Sequence, residues 1–315
     1  MRHGKFVYLT VALAMAVLFP ATSALAADVV ARRTTQPPAI DGKVDPAWGR
    51  IRAATIAVDG KKIGKVSVSL KAMYDDNYVY FLVQWADKTM SLNRVYELRG
   101  GKWEKNKGNE DRLGILFDVG GSIADFNRKG CEAVCHNKGE YMATSKPGEK
   151  GDLWHWKAQR TNPVGYADDQ WLQHVVTKEG DEKTGRKSDK KEKGGYDSNF
   201  DKAKNQPKFA GPGKGGAVLL KAGAKPLAGG AAEGTVAPRE VLDRPQGSRG
   251  DVDAGGIWEN GKWTVELRRK LNTGHGDDVV FVPGGTHLFG LSIFDNGDGE
   301  EHSVSKEPLR LILRK

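Results

Sequence analysis

Apolar and polar residues alternate along much of this chain with the two-residue period of half-buried strands, and helical periodicity is weak throughout. Val66, Val68, Leu70 and Ala72 fall on one side of an extended segment, with Ser67, Ser69 and Lys71 on the other. Asp75-Asp76-Asn77 supplies turn chemistry, and the aromatic and β-branched run Tyr78 to Trp85 follows. The pair predicts a hairpin with one buried face. Leu113 to Phe117 reads as a further buried strand that ends in Asp118 and a Gly120-Gly121 turn. In the last third, Trp258 to Leu267 doubles back through Glu259-Asn260-Gly261-Lys262, because Asn-Gly is a favoured two-residue loop. Thr286 to Asp295 and Leu309 to Leu313 complete the strands, and Pro37 to Trp48 is a turn-rich lead-in anchored by Trp48. Short strands with turn signals between them predict an all-β fold, an antiparallel β-sandwich or barrel.

Two segments depart from that pattern. From Lys178 to about Gly256 the chain turns to lysine, glycine and small residues, with little that can bury a core. It is expected to be an excursion from the domain, partly disordered or wrapped over it. Its Gly-rich pieces lack the Gly-Lys-Ser/Thr ending of a phosphate loop. At the other end, Arg2 and Lys5, the apolar run Val7 to Phe19 and Ala24-Leu25-Ala26 read as a secretory signal over residues 1–26. A single domain, 27–315, exported to the periplasm and without a transmembrane segment, is the expectation.

Charge narrows the partners. The formal +9 falls to about +7 once Arg2 and Lys5 are removed. No nucleic-acid module is recognisable, so an acidic protein partner met by electrostatic steering, or anionic lipid, fits the basic balance better.

The chemistry concentrates at Cys131-Glu132-Ala133-Val134-Cys135-His136, which holds the only two cysteines. Two thiols just before an imidazole can carry a haem through thioethers and ligate its iron, although three residues separate the thiols here rather than the usual two. In an oxidising compartment they can equally pair as a disulfide. A haem also needs axial ligands and an apolar slot. Met142, His155 and His302 are candidate donors, and Trp154 and Trp156 are candidate walls. If Trp154 to Trp156 is extended, both indoles face one way and His155 the other. The string Asp295 to Glu301 lacks full calcium-loop spacing and reads as a polar turn. No nucleophile elbow or zinc-protease pattern is present, and nothing in the chain suggests substrate chemistry of its own.

Three blocks carry a family resemblance: Gly130-Cys131 to His136 with Met142 downstream, the run Asp152 to Asp169, and Ile293 to Ser305. At these residues the chain resembles the haem-binding domain of ethylbenzene dehydrogenase gamma subunits, shared with dimethylsulfide dehydrogenase-type subunits and single-domain periplasmic cytochromes. That resemblance implies a sandwich similar to family-nine carbohydrate-binding modules, holding one haem between loops at the sandwich edge. It also implies iron held by a methionine and a lysine without covalent attachment. Met142 matches the methionine; His302-Ser303-Val304-Ser305 stands where the lysine falls, so His302 takes that role, with Lys306 as a fallback. Covalent attachment through Cys131 and Cys135 would instead make His136 the proximal ligand, with His302 or Met142 as the sixth.

The function so implied is a periplasmic monohaem electron-transfer protein of cytochrome c type, passing electrons to or from a periplasmic redox partner. One alternative is a b-type gamma-like subunit of a periplasmic molybdenum oxidoreductase, with the cysteines paired. Another is a haem-free carbohydrate-binding module that stacks sugars on Trp and Tyr faces.

Overall fold

The computed structural model describes residues 27–134, 141–175, 185–211, 216–297 and 301–315; the signal segment 1–26, Cys135 and His136 lie outside them. The first strands are β1 (Asp28–Arg33), β2 (Ala54–Val58), β3 (Val66–Tyr74), β4 (Tyr78–Ala86), β5 (Val95–Arg99) and β6 (Lys102–Lys105). The middle of the chain gives β7 (Arg112–Asp118), β8 (Gly151–Lys157), β9 (Tyr166–Leu172), β10 (Arg186–Ser188) and β11 (Lys193–Ser198). Short strands β12 (Phe200–Asp201), β13 (Gln206–Pro207) and β14 (Val236–Pro238) precede β15 (Glu240–Gln246) and β16 (Val252–Glu259). The chain ends with β17 (Lys262–Lys270), β18 (Thr286–Phe294), β19 (His302–Val304) and β20 (Leu309–Arg314).

The main sheet runs β1-β20-β18-β7-β8-β9-β16-β17-β4-β3-β2. It closes on itself because β1 lies parallel to both β20 and β3. Where β9 meets β16 only two residue pairs hold, Ala167 with Val252 and Tyr166 with Asp253. The closed sheet therefore folds into two layers, one centred on β18, β7, β8 and β9, the other on β17, β4 and β3. Between them lies the main core, with Leu113, Ile115, Phe117, Leu291 and Ile293 facing Leu70, Phe81, Val83, Val265 and Leu267. The indole of Trp154 packs 5.0 Å from Phe117 and 5.6 Å from Phe81, and Trp156 lies 5.0 Å from Trp263.

The predicted hairpins form in the expected registers. Asp75 Oδ1 accepts the backbone N–H groups of Asn77 and Tyr78 at 2.8 Å each and so closes the β3–β4 turn. At the β16–β17 turn, Asn260 (φ 51°) and Gly261 (φ 73°) are both left-handed, as a type I′ turn requires. Trp48 is the anchor expected, fully buried with its Nε1 donating to Glu266 Oε1 at 2.8 Å.

The excursion is better ordered than its composition suggests. Within its described part, β10 extends the main sheet beside β9, β11 pairs with β15, and β14 joins β5 and β6. It wraps over the outer face of the β7–β8–β9 layer, whose strands β7 and β8 are buried on both faces as a result. Among the described residues no helix is long and apolar enough to cross a membrane.

Candidate functional site

The covered outer face encloses a cavity of about 310 Å³. Its floor follows from the pleat. On β8, Trp154 and Trp156 point into the core, so Leu153, His155 and Lys157 point out. Gly114 and Leu116 of β7, Gln170 of β9, and Ser292 and Phe294 of β18 complete the floor beside His302 and Val304 of β19. The segment between β7 and β8 brings Cys131 and Met142 to the wall, and the excursion brings Arg186 and Tyr196. Cys131 sits against β18 because residue 290 is glycine: a Cβ there would lie 2.8 Å from the cysteine Cβ.

Four donor side chains from separate parts of the chain therefore face one space: Cys131, Met142, His155 and His302. His155 is held by its Nδ1, 3.3 Å from Gln170 Oε1. Its Nε2 is buried with no hydrogen-bond partner among the described residues. Burial, then Lys157 and Arg112, push this imidazole well below its ordinary pKa, so it is neutral with one nitrogen lone pair available. Phe294 lies between the two histidine rings, 5.7 Å from His155 and 4.8 Å from His302, stacked on both.

The rest of the wall is basic. Arg94, Arg112, Lys157, Arg160 and Arg186 line the cavity, and no carboxylate does among the described residues. Their counter-ions stand behind them. Fully buried Glu110 pairs with Arg160 and lies 3.9 Å from both Arg94 and Arg112. Burial alone would raise its pKa, but Arg160, Arg112 and Arg94 together hold the carboxyl below its usual range. Asp168 likewise pairs with Lys157 and, at 2.8 Å, with Arg249. Burial pushes the Lys157 ammonium down to about 7 against the pull of Asp168. Tyr196 donates to Asp168 Oδ2 at 2.8 Å, and its ring lies 4.9–5.1 Å from Arg249, Arg160 and Lys157. Stacked cations thus fix the excursion to the cavity wall.

Several expectations need correction. Trp154 and Trp156 do not line the cavity; both are fully buried between the layers, because the side chain that β8 sends outward is His155. Nor does the cavity lie at the sandwich edge: it covers the outer face of one layer. Lys306 is 61% exposed, pairs with Asp59 at 3.2 Å and is absent from the cavity wall. His275 faces Asp251 at 3.4 Å, and His287 packs on Phe281, both apart from the four donors. The basic ring was not anticipated, since Arg94, Arg112 and Arg186 are scattered and carry no motif.

The polar turn after β18 also has a buried side. Asp295 stands with Asp87 and Asp111, their carboxylate oxygens within 4.8 Å of one another. Burial, then Asp111, pushes Asp87 up to about 7, and burial pushes Asp111 up to about 6. The folded protein therefore keeps a proton on Asp87 that the unfolded chain has released above about pH 4. That contribution to stability is lost as pH rises from about 4 through about 7. Asp87→Asn is expected to raise the thermal midpoint at about pH 8 and leave it unchanged at about pH 4; equal effects at both pH values would refute the assignment.

A sequence model described as ethylbenzene dehydrogenase matches residues 45–306, most of the chain and all four donors. The chain belongs to the ethylbenzene dehydrogenase family. No curated protein matches it. Among solved structures, a family-nine carbohydrate-binding module from Caldicellulosiruptor kristjanssonii in complex with glucose is similar. It is 10% identical with a TM-score of 0.41, covering 91% of this chain and 95% of that one. The same module in complex with cellotriose gives 10% identity and a TM-score of 0.39 over 91% and 95%.

Proposed function

We propose that this member of the ethylbenzene dehydrogenase family is an exported, haem-carrying electron-transfer protein, an accessory to a redox enzyme rather than the catalytic part. The observation that carries this reading is the convergence of Met142, His155, His302 and Cys131 on one cavity whose remaining wall is basic. Imidazole and thioether are the donors haem iron takes, and guanidinium groups match the two carboxylates of its edge. The buried, unpartnered Nε2 of His155 and the neutrality of that ring fit a metal or a hydrogen-bond acceptor in the cavity. Bound haem would supply one-electron exchange at its iron.

His302 and Met142 are the ligands the cavity supports, with His155 as a reserve. Cys131 in the wall supports a thioether, hence a c-type haem; its companions Cys135 and His136 lie outside the described residues. The stacked rings of His155, Phe294 and His302 hold the donors by packing. The partner is a periplasmic redox protein, and family membership favours a molybdenum oxidoreductase. Sugar stacking draws less support, because the described tryptophans are buried or half-buried and none lines the cavity.

The test is made on protein exported in a host competent for cytochrome c maturation, denatured and extracted with acidified acetone. Haem that stays with the polypeptide supports the c-type form with Cys131 attached. Haem that passes into the solvent supports the b-type form held by Met142 and His302. A chain that carries no haem after such maturation overturns the proposal.

A further inference from the structure

Away from the cavity, five aspartates gather from distant parts of the chain. Asp152 belongs to β8, Asp169 to β9, Asp189 follows β10, and Asp277 and Asp278 precede β18. Carboxylate oxygens of Asp152, Asp169 and Asp278 lie within 4.8 Å of one another, as do those of Asp189, Asp277 and Asp278. Arg269 serves the first group: its Nη1 donates to Asp152 Oδ2 at 2.5 Å and lies 3.6 Å from Asp278 and 3.8 Å from Asp169. No ion pair reaches Asp189 or Asp277 among the described residues.

A second observation points to a ligand. Asp169 is fully buried and Asp189 is 5% exposed, yet among the described residues neither carboxylate has a hydrogen-bond partner on either oxygen, and Asp152 Oδ1 has none. An ionised carboxylate is acceptor-only, and burying it without donors is unfavourable. One guanidinium cannot neutralise five such groups.

We propose that Asp189, Asp277 and Asp278, with Asp169 behind them, bind a calcium ion that fastens the excursion to the main sheet. The donors are all carboxylate oxygens, supplied by loops and strand ends, which suits a hard cation with flexible coordination better than magnesium or a soft metal. The placement gives the ion a task. The Asp189 N–H donates to the Asp169 carbonyl at 3.1 Å, the last backbone tie between the β9–β10 edge and the segment leading to Tyr196. A cation held by Asp189, Asp277 and Asp278 would fasten the residue after β10 to the loop before β18, reinforce that tie and hold the cavity wall in place. The inference does not depend on the haem reading.

The experiment uses the full chain stripped with EGTA and titrated with calcium chloride by calorimetry, with terbium luminescence excited through tryptophan as a second readout. Trp154 is a nearby donor, its ring 4.7 Å from the Arg269 guanidinium. We expect saturable binding with a Kd of roughly 10⁻⁵ to 10⁻³ M, the span of weak sensors and extracellular modules. The thermal midpoint should rise with calcium concentration. Asp189→Asn should weaken binding at least about tenfold by removing one ligand charge. It should also leave the calcium-free protein as stable as the parent or more so, because it relieves repulsion. Asp277→Asn, at a half-exposed position, should weaken binding in the same way with less risk to the fold. Absence of saturable binding up to about 10 mM calcium, or parental affinity in both variants, would overturn the proposal.

Discussion

Replacing Glu110 by glutamine should destabilise the protein by about 3–5 kcal/mol, the cost of removing one partner from a buried ion-pair network. Glu110 is fully buried. One carboxylate oxygen takes the backbone N–H groups of Gln159 at 2.7 Å and Arg160 at 2.9 Å, and the other takes the Arg160 side chain. Arg94 and Arg112 approach that second oxygen at 3.9 Å. Glutamine keeps the shape but turns one acceptor into a donor, so three guanidiniums would share the cavity rim with their central counter-ion gone. Urea unfolding measures the loss directly. Glu97→Gln is the control, because among the described residues Glu97 pairs only with Arg99 at an exposed site, where such pairs are worth about 0–1 kcal/mol. A Glu110→Gln loss as small as that of the control would mean that the arginines relax into solvent and that Glu110 does not organise the rim.

The contrast between Glu110 and β8 shows what was legible in the chain. Strands β3, β4, β7, β16, β17, β18 and β20 were readable because each alternates or forms an apolar run between turn signals. On β8 the alternation itself was readable, but its sense was not: Gly-Asp-Leu-Trp-His-Trp-Lys is buried on both faces, so hydrophobicity could not say which face meets the core. The larger indoles took the inter-layer space, and His155 with Lys157 was left for the cavity. Strands β10 and β11, Arg-Lys-Ser and Lys-Gly-Gly-Tyr-Asp-Ser, have almost no apolar content. They are held by backbone ladders and by Tyr196 among cations, neither of which leaves a periodic trace. Met142 and His302 were candidate donors by residue type that the family resemblance singled out, and the fold brings them to one wall across 160 residues of sequence. Lys157, Arg160 and Asp168 of the basic ring and its counter-ions lie in the run Asp152 to Asp169, but Arg94, Glu110, Arg112 and Arg186 join them only through the fold.

In the non-covalent form, His302→Ala and Met142→Ala should each weaken haem retention by at least about 100-fold, beyond the 10- to 100-fold typical of residues that merely support a ligand; in the thioether-linked form the haem stays and the loss is read in the spectrum. His302 is fixed from two directions. Its strand pairs with β18 opposite Phe294, and its ring stacks on that phenylalanine at 4.8 Å. Met142 packs beside Leu116, Leu153 and Val304 in the small apolar cluster over the outer face, where an unbranched thioether can adjust to its neighbour. Alanine at either position removes the donor without touching the main core, so folding and ligation separate: unfolding midpoints of the haem-free variants should stay close to that of the parent. The absorption spectrum supplies the finer reading. Loss of His302 alone should leave a spectrum of mixed spin that imidazole added to the buffer restores, and His155→Ala should shift the potential while retaining haem. An unchanged spectrum in His302→Ala would remove this residue from the iron and promote His155, whose buried Nε2 is, among the described residues, the remaining imidazole nitrogen in the cavity able to take its place.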